Sequence, residues 1–232
     1  MSKLEVRQLG RMNYTEALEV QRKFVDQRKQ GLIPNQLLFV EHPHVITMGR
    51  NGHLENLLAD RNILERTGIS FHETNRGGDV TYHGPGQIVG YPIFDLREWK
   101  RDVVAYIRSI EQVVIDTLAE FAIPAERDPQ ATGAWVGGAK VCAIGVHISR
   151  WVTSHGFALN LDTDLQYFQY IVPCGLTRPV SSMRALGCKA SRAEVEHTLA
   201  RHFAAIFGLE VDWRYSNQFL EALPAQLTER VT

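Results

Sequence analysis

Val103, Ile107, Ile110, Val114, Leu118 and Phe121 recur at intervals of three and four residues, the spacing that gathers side chains on one face of an α-helix. Residues 101–121 are therefore predicted to form an amphipathic helix whose stripe is core, not a binding surface. A helix is also expected over Tyr14–Lys29, with Ala17, Leu18, Phe24 and Val25 on one side and Gly31 at its end. Ser191 and Glu194 have capping-box spacing, which starts a helix running to Phe207 with Gly208 as its stop. Leu57, Leu58 and Leu64 suggest a further helix over Leu54–Arg66, closed by Gly68.

The intervening runs read as strands. Leu4, Val6 and Leu9 mark an opening strand; Gln36–Val40 and Val45–Met48 follow, the latter entering a turn at Gly49 to Gly52. Phe71–Asn75 is a short strand, and IVGYPIFDL after Gln87 reads as a buried one, with Gly90 and Pro92 marking a bulge or an edge. Residues 133–150 form a hairpin turned by Gly137 and Gly138, and Thr153–Leu161 extends it as an antiparallel sheet. Leu165–Ile171 is a short aromatic segment leading into a tight loop at Pro173, Cys174 and Gly175. Leu209–Trp213 is a last strand, followed by a short helix. No repeat or linker interrupts this order, so one domain over 1–232 is expected.

With 232 residues, 44% hydrophobic and 22% charged, the chain can bury a substantial core. A formal net charge of -1 gives no global attraction to nucleic acid or to an anionic membrane. Lys3, Glu5 and Arg7 break the apolar run that a signal peptide needs, and no stretch of about 20 apolar residues occurs, so a cytosolic protein is expected. Three cysteines, Cys142, Cys174 and Cys188, without a CxxC pair, argue against a disulfide framework and a cysteine zinc site.

Residues 76–87, RGGDVTYHGPGQ, combine four glycines and a proline with Arg76, Asp79, Tyr82 and His83. Such a backbone can approach a ligand closely while polar groups hang from it; a hairpin with glycine-rich ends is the structural alternative. Val80 and Thr81 suit a short strand between the glycine turns. His42, Pro43 and His44, with His53 nearby, lack a carboxylate or cysteine at ligand spacing. Their imidazoles are expected to bond to backbone or water, or to line a pocket.

Cys174, between Pro173 and Gly175, has the fixed backbone that a nucleophilic thiol needs. Cys142, in the run VCAIGV, reads as core packing, and Cys188 remains open as a loop residue. A reactive thiolate needs a cation or base nearby, and Lys140, preceding an apolar strand, and His83 are the candidates.

In order, RGGDVTYHGPGQ, GGAKVCAIGVHIS, HGFALNLD and IVPCGL resemble the lipoyl(octanoyl) transferase family over roughly residues 35–190. The resemblance implies an α/β (α+β) fold like the catalytic domain of biotin and lipoate protein ligases, a mixed sheet flanked by helices. It implies that octanoyl is taken from octanoyl-acyl carrier protein, held as a thioester on Cys174 and passed to a lipoyl-domain lysine of 2-oxoacid dehydrogenases or glycine cleavage H protein. Lys140 would lower the Cys174 pKa. The substrate pocket falls on Arg76, Gly77, Gly78, Asp79, Val80, Thr81, Tyr82 and His83, on Ala143, Ile144 and Gly145, and on Gly156, Phe157 and Ala158. Small Gly145 and Ala158 would leave room for the alkyl chain beside Val80, Ile144 and Phe157.

A thioester donor is already activated, so no nucleotide, metal or other cofactor is expected. Backbone N–H groups near Lys140 or the glycines would bind the oxyanion. Docking of an acidic carrier points to a basic patch involving Arg50, Arg76 or Arg178, and the size suits a monomer. Three other readings remain open: an ATP-dependent lipoate or biotin ligase on the same fold, a non-catalytic acyl-protein binding module, and a metal-dependent hydrolase.

Overall fold

The computed structural model describes residues 2–172 and 178–214. A seven-stranded mixed sheet comprises β1 (Ser2–Arg11), β2 (Asn35–Glu41), β6 (Gln87–Ile93), β7 (Ala134–Val136), β8 (Ala139–Ser149), β9 (Val152–Asn160) and β10 (Leu209–Arg214), in the order β10-β1-β2-β6-β9-β8-β7. β1 runs parallel to both β10 and β2, and the remaining pairs are antiparallel. A smaller sheet has the order β4-β3-β5, from β3 (Val45–Met48), β4 (Ser70–Glu73) and β5 (Val80–His83).

The large sheet is buried on both faces because its strands alternate apolar residues to each side. In β2, Leu37 and Phe39 join the cluster under α3 (Val103–Glu120) and α4 (Arg192–Phe207), where Ile110, Val114 and Leu118 meet Val195, Leu199 and Phe203. Leu38 and Val40, one residue out of phase, pack with Ala17, Val20 and Phe24 of α1 (Tyr14–Lys29) on the opposite face. A third cluster, Ile46, Val80, Tyr82 and Ile171, fills the small sheet. Both long helices on the first face are capped as their termini require: Asp102 accepts from the Ala105 N–H at 2.9 Å, and Ser191 pairs reciprocally with Glu194.

Three expectations change. The helix expected over Leu54–Arg66 is a single 3₁₀ turn at Leu54–Asn56 followed by α2, Arg61–Thr67. Between them the backbone is taken by the aromatic segment: Leu58 and Ala59 donate to the Tyr170 carbonyl, Asn56 accepts from Val172, and Leu57 bridges Ile171. Asp60 then caps a new start, and Leu58 lies exposed.

β6 is a central strand, buried at every position and paired on both sides, not an edge. The interruption anticipated at Pro92 is nevertheless present, because proline has no N–H to give the ladder. Pairing with β9 stops at Gly90–Phe157, and the unmatched stretch of β9 holds His155 at φ 55°, its N–H donated to Gln21 Oε1 at 2.8 Å.

The stripe of α3 is core from Tyr106 and Ile110 onward, but Val103 is 42% exposed and Ile107 only partly covered. The expected loop at Pro173 to Gly175, Cys174 included, and the C-terminal helix lie outside the described residues. Among those described, no helix is long and apolar enough to cross a membrane.

Candidate active site

Where the small sheet faces the large one, β5, β6, β8 and β9 enclose a mainly apolar pocket with about 760 Å³ of empty space, part of it open to solvent. Val80, Val89, Ile144, Phe157 and Ala158 supply the apolar wall, and Lys140, His83, Tyr14, Tyr91 and His155 the polar positions.

The glycine-rich stretch forms one rim because the loop after β3 clasps it. Gly49, Arg50 and Asn51 donate their N–H groups to the carbonyls of Asp79, Arg76 and Gly78 at 3.1, 2.9 and 3.2 Å. Arg76 is buried and holds β3 through Thr47, bonding its Oγ1 and its carbonyl, while Nη1 returns to Gly77 O at 3.0 Å. Asp79 accepts from the N–H groups of Val80 and His53 and from Asn56 Nδ2. Gly78 sits at φ 85°, a conformation that a side chain would strain.

Hydrogen bonding fixes the imidazoles. Gln87 Nε2 donates to the Tyr82 carbonyl and to Asn160 Oδ1, at 3.2 and 3.0 Å, so its Oε1 must accept from His83 Nδ1 at 2.9 Å. His83 Nε2 is then the lone-pair nitrogen, an acceptor and not a donor. Likewise His42 donates from Nδ1 to the Met12 carbonyl and accepts at Nε2 from the Tyr91 hydroxyl, at 2.8 and 2.7 Å. Burial pushes the His42 pKa down to about 4, with Arg192 adding to the effect. Burial, with His42 and Arg76, pushes His83 to about 3, and burial with Arg76 does the same to His155. The pocket's histidines are neutral near pH 7.

Lys140 is buried at the pocket wall, its Nζ 4.8 Å from the centre of the Trp135 ring. A bulge in β8 turns its backbone from β7 to the segment that begins at Arg178: its N–H donates to Pro179 O and its carbonyl accepts from Ser181, both at 2.9 Å. Asn160 Nδ2 also donates to the Ser181 carbonyl at 2.9 Å. Before residue 173, Val172 donates to Asn56 O at 2.8 Å. The chain on either side of residues 173–177 is thus tied to the glycine-rich side of the pocket and to Lys140.

Residues 13–204 match the model of the lipoyl protein ligase A/B catalytic domain. The chain is 66% identical to an octanoyltransferase of Solibacter usitatus over 206 residues, 89% of this chain and 94% of that one. It is 48% identical to the Koribacter versatilis octanoyltransferase over 234 residues, 98% and 93% of the two chains. The chain belongs to the octanoyltransferase family. Its fold extends to distant relatives. A bipartite lipoate protein ligase from Thermoplasma acidophilum, from an archaeal lipoylation system studied with its E2 lipoyl domain, superposes with a TM-score of 0.77 at 15% identity, covering 99% of this chain and 93% of that one.

In this octanoyltransferase-family chain, Arg76, Gly78, Asp79, Val80, Thr81, His83, Lys140, Ala143, Ile144, Gly145, Gly156, Phe157 and Ala158 come together around the pocket. Gly77 faces a neighbouring groove, its N–H donated to Val146 O at 2.8 Å. Tyr82 points away: it is fully buried in the third cluster, stacked on Tyr167 and bonded through its hydroxyl to His44 Nδ1 at 2.8 Å. Gly145 lines the pocket, but its missing side chain makes way for protein, since a Cβ there would lie 2.8 Å from Gly77 O.

Arg76 is buried on Thr47, and Arg178 pairs with Asp128 and Gln130 beside Trp135. Of the three arginines considered for docking, Arg50 is the exposed one. Cys142 is core, as expected, and Cys188 is buried as well. Sequence reasoning missed Tyr14, Val89, Tyr91, His155, Asn160, Phe168 and Val180. His155 and Asn160 were in view within HGFALNLD, but Tyr14 arrives from the start of α1 with no motif to mark it.

Proposed function

We propose that this chain moves octanoyl from an acyl carrier protein thioester to a lipoyl-domain lysine through a thioester on Cys174. The observation that carries the reading is Lys140, buried in the wall of a mainly apolar pocket and tied by its own backbone to the chain just after the Cys174 segment. Pro179 is five residues beyond Cys174, a reach of at most about 17 Å for extended chain.

An ammonium beside the thiol favours thiolate. The thiolate attacks the thioester carbonyl, and the carrier thiolate leaves with the bonding electrons and takes the proton of the Lys140 ammonium, which becomes neutral. In the second half, the acceptor amine attacks the enzyme thioester, the Cys174 thiolate departs, and neutral Lys140 takes the amine proton. Arg76 to His83, Ala143 to Gly145 and Gly156 to Ala158 hold the acyl group, with Tyr82 and Gly84 supporting the frame from behind. The acceptors are lipoyl domains generally, including those of 2-oxoacid dehydrogenases and glycine cleavage H protein. The chain acts as one monomeric cytosolic domain.

Intact mass measurement after mixing with octanoyl-acyl carrier protein and no ATP tests this. The expected result is a hydroxylamine-labile octanoyl adduct on the wild type and none on Cys174→Ser. Acylation of a lipoyl domain only when ATP and free octanoate are supplied overturns it in favour of a ligase. Lys140→Arg keeps the charge but cannot release a proton near neutral pH, so transfer is expected to fall by about a hundredfold or more with the melting temperature unchanged.

A further inference from the structure

The pocket does not end at its mouth. It shares Gly78, Asp79, Ile144 and Gly145 with a wider groove that runs along β8 as far as Ile148. β7 stops pairing with β8 at Cys142, so residues 143–149 have β9 on one side only. On the open side, among the described residues, the backbone bond made is from Gly77 to Val146 O. The floor of the groove is therefore a strand edge with N–H and C=O groups to offer.

Val103, Ile107 and Ala131 give the groove an apolar patch among polar residues that include Gln130 and Thr132. Val103 and Ile107 belong to the core stripe of α3 by periodicity, yet they line this groove, with Val103 42% exposed. At the far end Arg50 and His147 line the groove, and His147 Nδ1 is buried without a partner. Arg50 and Lys29 both lie close enough to depress the His147 pKa, behind burial as the main cause. Arg50 and Lys29 thus put positive charge beside His147, while Asp79 and Glu55 are the acidic residues of the lining.

We propose that this groove binds the thiol-bearing arm of the acyl donor, an arm of the pantetheine class whose amides meet the β8 edge, whose alkyl parts meet Val103 and Ile107, and whose anionic end meets Arg50. The proposal rests on the transferase reading. Continuity with the pocket selects this occupant: when the acyl chain fills the pocket, the sulfur side of the thioester must continue through the shared walls. Along β8 the groove runs from Ile144 to Ile148, four steps of strand or roughly 13 Å, which takes the part of an extended arm next to the sulfur. The groove would bind it without contributing to the acyl transfer itself.

The test measures adduct formation by mass with three donors: octanoyl-acyl carrier protein, octanoyl-4′-phosphopantetheine, and octanoyl-N-acetylcysteamine, which lacks most of the arm. With wild type, KM for the first two should be at least about tenfold lower than for the third. Val103→Glu and Arg50→Glu should raise the first two about tenfold and leave the third unchanged. Equal KM for all donors, or variants that spare loading and instead slow transfer from preloaded enzyme to a lipoyl domain, overturns the proposal; the latter result assigns the groove to the acceptor. If no thioester loads the wild type, the transferase reading itself fails, a distinct outcome.

Discussion

The apolar pocket and the groove beside it are built from the same strand, β8, by opposite means. In the pocket, polar side chains are bound to one another: Gln87 to His83 and Asn160, His42 to Tyr91, Arg76 to Thr47. In the groove, backbone and apolar groups are left open, from the β8 edge to Val103. A site that must exclude water around a thioester needs its shape set in advance. A surface that receives a mobile arm and then releases it needs unmet contacts. The comparison teaches that substitutions in the pocket should be felt as stability and those in the groove as KM.

Acid should break the pocket first. His42, His83 and His155 are neutral in the fold, with pKa values pushed to about 4, 3 and 3 from an ordinary 6.5. Below pH 6.5 the unfolded chain binds protons that the folded chain refuses, so stability present above that pH is lost as the pH falls towards 4 and 3. Each histidine contributes up to about 1.4 kcal/mol per pH unit in that window. Urea titrations at pH 7 and pH 5 measure this, and His83→Gln should flatten the slope by up to about 1.4 kcal/mol per pH unit. An unchanged slope would mean that His83 titrates normally.

The glycine-rich stretch sharpens the contrast at single positions. A Cβ on Gly84 would sit 1.9 Å from the Tyr82 hydroxyl, and Tyr82 is fully buried and stacked, so it cannot swing away. Gly84→Ala should cost about 1–3 kcal/mol of folding stability by overpacking while leaving acyl affinity nearly intact once folded. Gly78 is at φ 85° on the pocket rim, and Gly78→Ala should weaken acyl binding by about 1 kcal/mol or more. Thermal melts paired with substrate titrations separate the two.

These positions also show how far the sequence could be read. RGGDVTYHGPGQ was legible as a stretch that lines a pocket because its unusual residues are contiguous, but not which glycine faces the pocket and which makes way for Tyr82, since that depends on where a ring from β5 is packed. Lys140 was legible as a candidate from its place before an apolar strand. The bulge that turns its backbone towards Pro179 was not, because register is a property of two chains of residues and not of one. Gly90 and Pro92 suggested an edge; the fold instead placed them mid-sheet and met the missing N–H with a left-handed His155 across from it. Leu54–Arg66 had helical spacing, yet the Tyr170 carbonyl competed for its N–H groups and won.

Val103 gives the finest test, because its sequence signal and its environment disagree. By periodicity it is equivalent to Val114, eleven residues on along the same stripe, which is fully buried under α4 and the sheet. If burial governs, Val114→Ala should cost about 1.5–3 kcal/mol through lost apolar contact and the cavity left behind. Val103→Ser should stay within about 0.5 kcal/mol, as at an ordinary surface position. Paired chemical denaturation curves would show this as a shifted midpoint for one variant and coincident midpoints for the other. A cost at Val103 comparable to that at Val114 would mean that the residue is covered in solution by the rest of the chain, and an arm entering the groove would then have to displace that cover.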